Sequence, residues 1–270
     1  MNIRRWGLGL LAATLFVPGL TACNSDAGKS ADSGASADAS AAAIPSDPKE
    51  ALVASTKELE NGNFTFTLGA DGVTGKGLVH KPSNSAQLTM TIDDGSGTTM
   101  GLDMIYVESE SWVKLDLGEL GDMIPGAAAL KDKYQHLDKS KIEDSSLSLD
   151  LTKPDPGNSA TIIKAITEVQ KTGEGAYSGK LDASGVTDSD ALDQDLIKAL
   201  GDQAKSLPFT AKLDAQGRLT ELVLSIPAVS ETKAHEIKVS YADYGTAAAA
   251  QKPAADKVVE ASEQTYEMLK

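Results

Sequence analysis

A single cysteine in 270 residues leaves the chain without any internal disulfide. Stability therefore has to come from a buried apolar core, and about 200 residues suffice for one. Aromatic residues make up only 4% of the chain and there are three histidines. His80, His136 and His235 are scattered, none at a metal-ligand spacing from another. The sequence has no nucleophile elbow, P-loop or dinucleotide-binding glycine pattern. Every constellation that would announce an enzyme is missing, so neither catalytic residue nor cofactor is expected. Cations are scarce as well: 25 Lys and Arg stand against 39 Asp and Glu, a net charge of −14. A surface of that sign is a poor nucleic-acid binder, because Lys and Arg must replace the counterions of the duplex. Anionic lipid headgroups repel it for the same reason.

Only one long apolar run occurs. Trp6 to Val17 follows Arg4-Arg5, is broken by Pro18-Gly19 and ends at Leu20-Thr21-Ala22-Cys23. A basic head, a short apolar stretch and a small-residue cleavage site form a secretory signal over residues 1–22. The last four residues resemble the lipobox of bacterial lipoproteins, in which the cysteine thiol receives a diacylglycerol. That resemblance makes Cys23 the lipidation site and places the protein on the extracytoplasmic face of the cell membrane. The alternatives are a plain signal peptide with a chance cysteine and an uncleaved anchor. The run is near the lower limit for spanning a bilayer, about 17 residues, and Pro18-Gly19 would interrupt such a helix. Loss of Arg4 and Arg5 with the signal takes the net charge to −16. An acyl anchor rather than a basic patch would then hold the chain to the membrane.

Residues 23–47 are Ser, Ala, Gly and Asp with almost no large apolar side chain. They bury too little surface to offset ordering entropy and read as a disordered tether, spanning roughly 25–30 Å as a coil. A single domain is expected over 48–247, and a surface tail with a short helix over 248–270. Ser46-Asp47-Pro48 marks a helix start, with Leu52, Val53, Thr56 and Leu59 on one face and Asn61-Gly62 as the stop. The period then changes to two. Phe64, Phe66 and Leu68, then Leu88, Met90 and Ile92, then Met100, Leu102, Met104 and Tyr106 alternate with polar residues. Turn signals separate these runs, and Trp112 to Leu117 continues them as an antiparallel meander. Helices are expected over 122–137, over 158–171 with Ile162, Ile163, Ile166 and Val169 as a stripe, and over 189–206. Tyr177–Asp182 reads as a strand, 209–213 and 218–226 as a hairpin, and His235–Tyr241 as the closing strand.

Asp182, Asp188, Asp190, Asp193 and Asp195 crowd one segment. They miss the EF-hand register, and acids at a helix start have an electrostatic use of their own, so no metal is expected. The methionines are more informative. Beyond Met1 there are five, and Met90, Met100, Met104 and Met123 fall in one window. Methionine adapts to variable apolar partners, although it also fills ordinary cores. A thioether metal site at Met100 and Met104 would lack any nearby His or Cys.

From residue 177 onward short motifs accumulate: Tyr177-Ser178-Gly179-Lys180-Leu181-Asp182, an acidic helix, and Leu207-Pro208-Phe209-Thr210-Ala211-Lys212-Leu213-Asp214. Gly217-Arg218-Leu219 and Tyr241-Ala242-Asp243-Tyr244-Gly245 follow. This order resembles that of the actinobacterial LppX/LprAFG lipoproteins, whose fold is like that of the LolA lipoprotein carriers. The resemblance covers about residues 48–247, although Phe209–Leu213 lacks the tryptophan associated with that hairpin. It implies an α+β fold, a strongly curved antiparallel half-barrel wrapped around helices with an apolar cavity between. It also implies a lipoprotein that carries an acylated lipid or glycolipid within the cell envelope, with an envelope transporter as a partner and the carrier itself a monomer. Alternation, and not a family motif, supplies the wall of such a cavity: Phe66, Leu88, Met90, Ile92, Met100, Leu102, Met104 and Tyr106, opposed by Ile162, Ile163 and Ile166. The same residues would equally serve a filled core. The competing expectation is a tethered interaction module with no cavity and an exposed apolar patch.

Overall fold

The computed structural model describes residues 43–93, 95, 97–124, 126–141, 151–186, 192, 194–229 and 232–268. The signal segment, Cys23 and most of the tether lie outside the described residues, as do Asp188, Asp190 and Asp193. The chain from Ala41 to Lys270 forms one compact unit.

Helix α1 (Pro48–Ser55) begins where the sequence places it. Pro48 supplies the first-turn φ, and the Asp47 carboxylate accepts the Glu50 amide at 2.9 Å. A short α2 (Lys57–Glu60) completes the turn into the sheet. Strands β1 (Asn63–Ala70), β2 (Val73–His80), β3 (Ser85–Asp93), β4 (Thr99–Val107) and β5 (Glu110–Asp116) follow as the expected meander. The chain then departs from expectation. The helix anticipated over 122–137 is a 3-10 turn (Gly118–Met123), four residues of α3 (Ala127–Leu130) and strand β6 (Tyr134–Leu137). Gly126 sits at φ +87 between them, a conformation that no continuous helix admits.

The helix anticipated over 158–171 is likewise divided. Helix α4 (Ser159–Lys164) keeps Ile162 and Ile163, while β7 (Ile166–Gly173) takes Ile166 and Val169 into a hairpin with β8 (Ala176–Leu181). Ile166, Thr167, Val169 and Thr172 are β-branched, and their strand preference overrides a stripe that also fits 3.6-residue spacing. Helix α5 (Gln194–Leu200) passes into a 3-10 turn (Gly201–Ser206). Strands β9 (Leu207–Leu213), β10 (Leu219–Ile226) and β11 (His235–Ala242) complete the second meander. Along β9 buried and exposed residues alternate without exception.

Twelve strands form one open, curved, mostly antiparallel sheet in the order β12-β6-β5-β4-β3-β2-β1-β11-β10-β9-β8-β7. Strand β11 does not close an edge. It pairs with β1 on one side and β10 on the other, and so joins the two meanders. The C-terminal segment is more than a surface tail. Its strand β12 (Val258–Glu260) lies parallel to β6, and α6 (Glu263–Met268) follows.

Helices α1, α4 and α5 cover the inner face over β1 and β8–β11. There Leu52, Phe64, Phe66, Ile162, Ile163, Ile166, Phe209 and Leu222 form the main core. A second, smaller core joins Met104, Val113 and Leu137 to Tyr266 of α6.

Candidate functional site

Residues paired across adjacent strands point to the same side of a sheet, so the register fixes the inner face. One row runs Tyr177–Ala211–Leu222–Val239–Leu68–Gly75–Met90–Leu102–Leu115 from β8 to β5. Its neighbour runs Tyr241–Phe66–Gly77–Leu88–Met104–Val113–Gln135 from β11 to β6. The eight sheet residues expected on one wall therefore share a face, with Ile92 opposite Met100 and Ala86 opposite Tyr106.

They do not share one environment. Phe66, Ile162, Ile163 and Ile166 are packed into the main core, with protein neighbours on every side. Met104 is sealed by Tyr266 in the second core. Where helices and sheet meet, Phe66 and these isoleucines form one buried cluster, the arrangement of the filled-core alternative. What stays open is the strip between the two cores. Leu88 borders the first core and Leu102 the second, while Met90, Met100 and Tyr106 are half-buried and belong to neither. Ile92 at its end is 37% exposed.

Two residues that alternation did not single out shape this strip. Gly75 and Gly77 occupy the inner-face positions of β2, where side chains would otherwise stand. A Cβ on Gly77 would lie 2.1 Å from the Gln87 carbonyl oxygen and 2.6 Å from the Phe66 ring, so no side chain fits there. A Cβ on Gly75 would meet Leu68 and Met90 at ordinary contact distances, 3.4–3.6 Å. The result is a shallow trough. Gly75 is itself buried under Leu68 and Met90, so the surface left open is that of half-buried Leu68, Leu88, Met90 and Leu102. The V-T-G-K-G-L-V pattern, with glycine at alternate positions of an apolar strand, was the signal. At the same end of the sheet the 3-10 turn after β5 leaves Met123 71% exposed.

Two recesses open beyond this strip, the second reaching the Gly77 backbone from the other face of the sheet. One, of about 390 Å³, is bounded by Thr161, Lys164, Asp182 and Ser184 beside α4. Asp182 accepts the Ser184 amide and hydroxyl at 3.0 and 2.5 Å, and these bonds hold its carboxyl below the usual range. The other, of about 360 Å³, opens on the outer face among Thr65, Thr67, Lys76, Gln87 and Thr89. Among the described residues no three His, Cys, Asp or Glu converge on a metal-sized space. Each histidine has its own neighbours: His80 bonds Ser83, His136 stands between Glu110 and Glu260, and His235 faces the Lys233 carbonyl. None of the described helices is long and apolar enough to cross a membrane.

A buried polar cluster fixes α4 over the sheet. Tyr241 donates its hydroxyl to Asp155 and lies 2.8 Å from the Ser159 hydroxyl. Asp155 also accepts the amides of Gly157 and Ala160 at 3.1 and 3.3 Å. Burial pushes the Asp155 carboxyl up, more than these three donors and the Ser159 amide draw it down. Burial, then the Asp155 charge, raises Tyr241 well above the usual phenol. Neither group faces the trough, so their work is to hold α4 in place. No protein-family model matches the sequence, and no curated protein shows significant similarity to it.

Proposed function

We propose that the protein is a membrane-tethered lipoprotein whose trough takes up the hydrocarbon chain of an acylated lipid or glycolipid and carries it within the cell envelope, with no covalent chemistry. The observation that carries this is the half-buried strip of the inner face, where a continuous apolar row of Leu68, Met90 and Leu102 crosses from one core to the other. An acyl chain exposed to water costs about 0.8 kcal/mol per methylene, so ten methylenes cost roughly 8 kcal/mol. A shallow channel lined by flexible Met and Leu side chains recovers part of that cost without selecting one headgroup. The lipobox-like Leu20-Thr21-Ala22-Cys23 supports attachment through diacylglycerol on Cys23, and the tether gives the reach to touch the membrane. The resemblance to LppX/LprAFG lipoproteins and a LolA-like half-barrel adds to the same reading.

Ile92 and Met123, both exposed, together with the buried helix–sheet cluster, favour a second reading. In it the same strip docks another envelope protein. Met90→Trp separates the two. A bulky ring in the trough should abolish uptake of a fluorescent fatty acid by the detergent-free protein while the circular dichroism spectrum is retained. Uptake by neither protein, with another envelope protein retained on the unsubstituted strip, would favour docking.

A further inference from the structure

The C-terminal segment crosses from the outer face of the sheet to the inner. On the outer face Lys252 lies 5.9 Å from the Trp112 ring and pairs with Glu108 and Glu110. Strand β12 then follows the β6 edge, and α6 brings Thr265 and Tyr266 onto the inner face. Two contacts hold the Tyr266 ring there and a third holds its neighbour. Its hydroxyl accepts the Asp138 amide at 2.8 Å, the Lys141 ammonium stands 4.8 Å over the ring, and Thr265 donates to the buried Gln135 amide oxygen at 2.5 Å. The ring covers Met104 and Val113, and Leu102 and Leu115 abut this cluster. It therefore stands across the β4–β6 end of the trough, where the row through Met90 and Leu102 runs out of open surface.

We propose that Tyr266 is the chain-length stop of the trough, an inference that rests on the lipid-binding reading above. A hydrocarbon laid along Leu68, Met90 and Leu102 meets the ring and goes no further. Methylenes short of the ring are buried, each raising affinity about fourfold. Methylenes beyond it stay in water and add nothing.

The test uses the full chain carrying Cys23→Ser, so that no acyl group of its own competes for the trough. Straight-chain fatty acids from decanoate to stearate are titrated against a bound anilinonaphthalene sulfonate probe. In this parent protein, affinity should climb with chain length and then level off. Tyr266→Phe keeps the ring and should level off at the same length. Tyr266→Ala should continue to climb, so that two further buried methylenes raise stearate affinity about fifteenfold. Tyr266→Leu, which keeps apolar packing on Met104, should move the plateau part of the way and serves if the alanine variant does not fold. An unchanged plateau in whichever of these two variants is folded, or a parent affinity that climbs without limit, overturns the chain stop and leaves the lipid reading standing. Failure of every fatty acid to displace the probe from the parent removes the lipid reading, and the stop with it.

Discussion

Gly75→Leu places a side chain in the trough and isolates its contribution. The Cβ alone is accommodated, touching Leu68 and Met90 at 3.4–3.6 Å, but Gly75 is buried, so the rest of the leucine must push one of those side chains aside. Overpacking there costs about 1–3 kcal/mol, less what the stronger strand former returns. A bound acyl chain, in turn, meets the displaced Leu68 or Met90 where it would lie. If the leucine displaces two methylenes into water, binding weakens by about 1.6 kcal/mol, roughly fifteenfold. Gly77→Ala is the contrasting variant. Its Cβ falls 2.1 Å from the Gln87 carbonyl oxygen and 2.6 Å from the Phe66 ring, so the strand pair or the ring must shift. Overpacking of that kind costs about 1–3 kcal/mol, which lowers the melting temperature of a domain near 200 residues by about 2–12 °C. Differential scanning calorimetry and fatty-acid titration on both variants decide the matter. Undiminished binding by folded Gly75→Leu would refute the trough as the site. An unshifted melt for Gly77→Ala would refute the geometry of β2.

Three further outcomes follow from the buried polar groups. The folded-state pKa of Asp155 is raised, so the native protein holds that proton more tightly than the unfolded chain does. Its contribution to stability is fully present below the ordinary carboxylate pKa and is lost as pH rises through the raised value. Denaturant melts should therefore show the stability of the parent protein, measured against Asp155→Asn, falling from acid toward neutral pH. Tyr241→Phe removes one donor from Asp155 and the partner of Ser159, and should cost about 1–3 kcal/mol in urea unfolding. Thr265→Val leaves the buried Gln135 amide oxygen without its hydroxyl donor. It should cost about 1–3 kcal/mol and increase amide hydrogen exchange in α6 while sparing β9 and β10.

Much of the sheet was legible because period-two alternation survives wherever one face is buried. Phe64, Phe66 and Leu68, the Leu88 to Ile92 run, and the Met100 to Tyr106 run all fall on the inner face as read. The α1 start was legible from Asp47-Pro48 because capping is local chemistry. The 158–171 segment was misread because its apolar stripe fits both periods, and only pairing with β8 decides for the strand from Ile166 onward. Pairing of β1 with β11 joins residues about 175 positions apart, which no local pattern encodes. The burial of Tyr266 is non-local for the same reason. For the site, alternation found the right face but could not say which part of it the helices cover. Phe66, Ile162, Ile163 and Ile166 were assigned to a ligand wall and lie within the core. Gly75 and Gly77 passed unnoticed because a glycine contributes nothing to an apolar count.

The most direct measurement is native mass spectrometry of the protein purified from its own host without detergent, beside Gly75→Leu prepared in the same way. The trough account predicts a population heavier than the polypeptide and its covalent anchor by the mass of an acylated lipid, released by organic solvent and depleted in the variant. A single species at the mass of the anchored polypeptide alone, in both preparations, would contradict it.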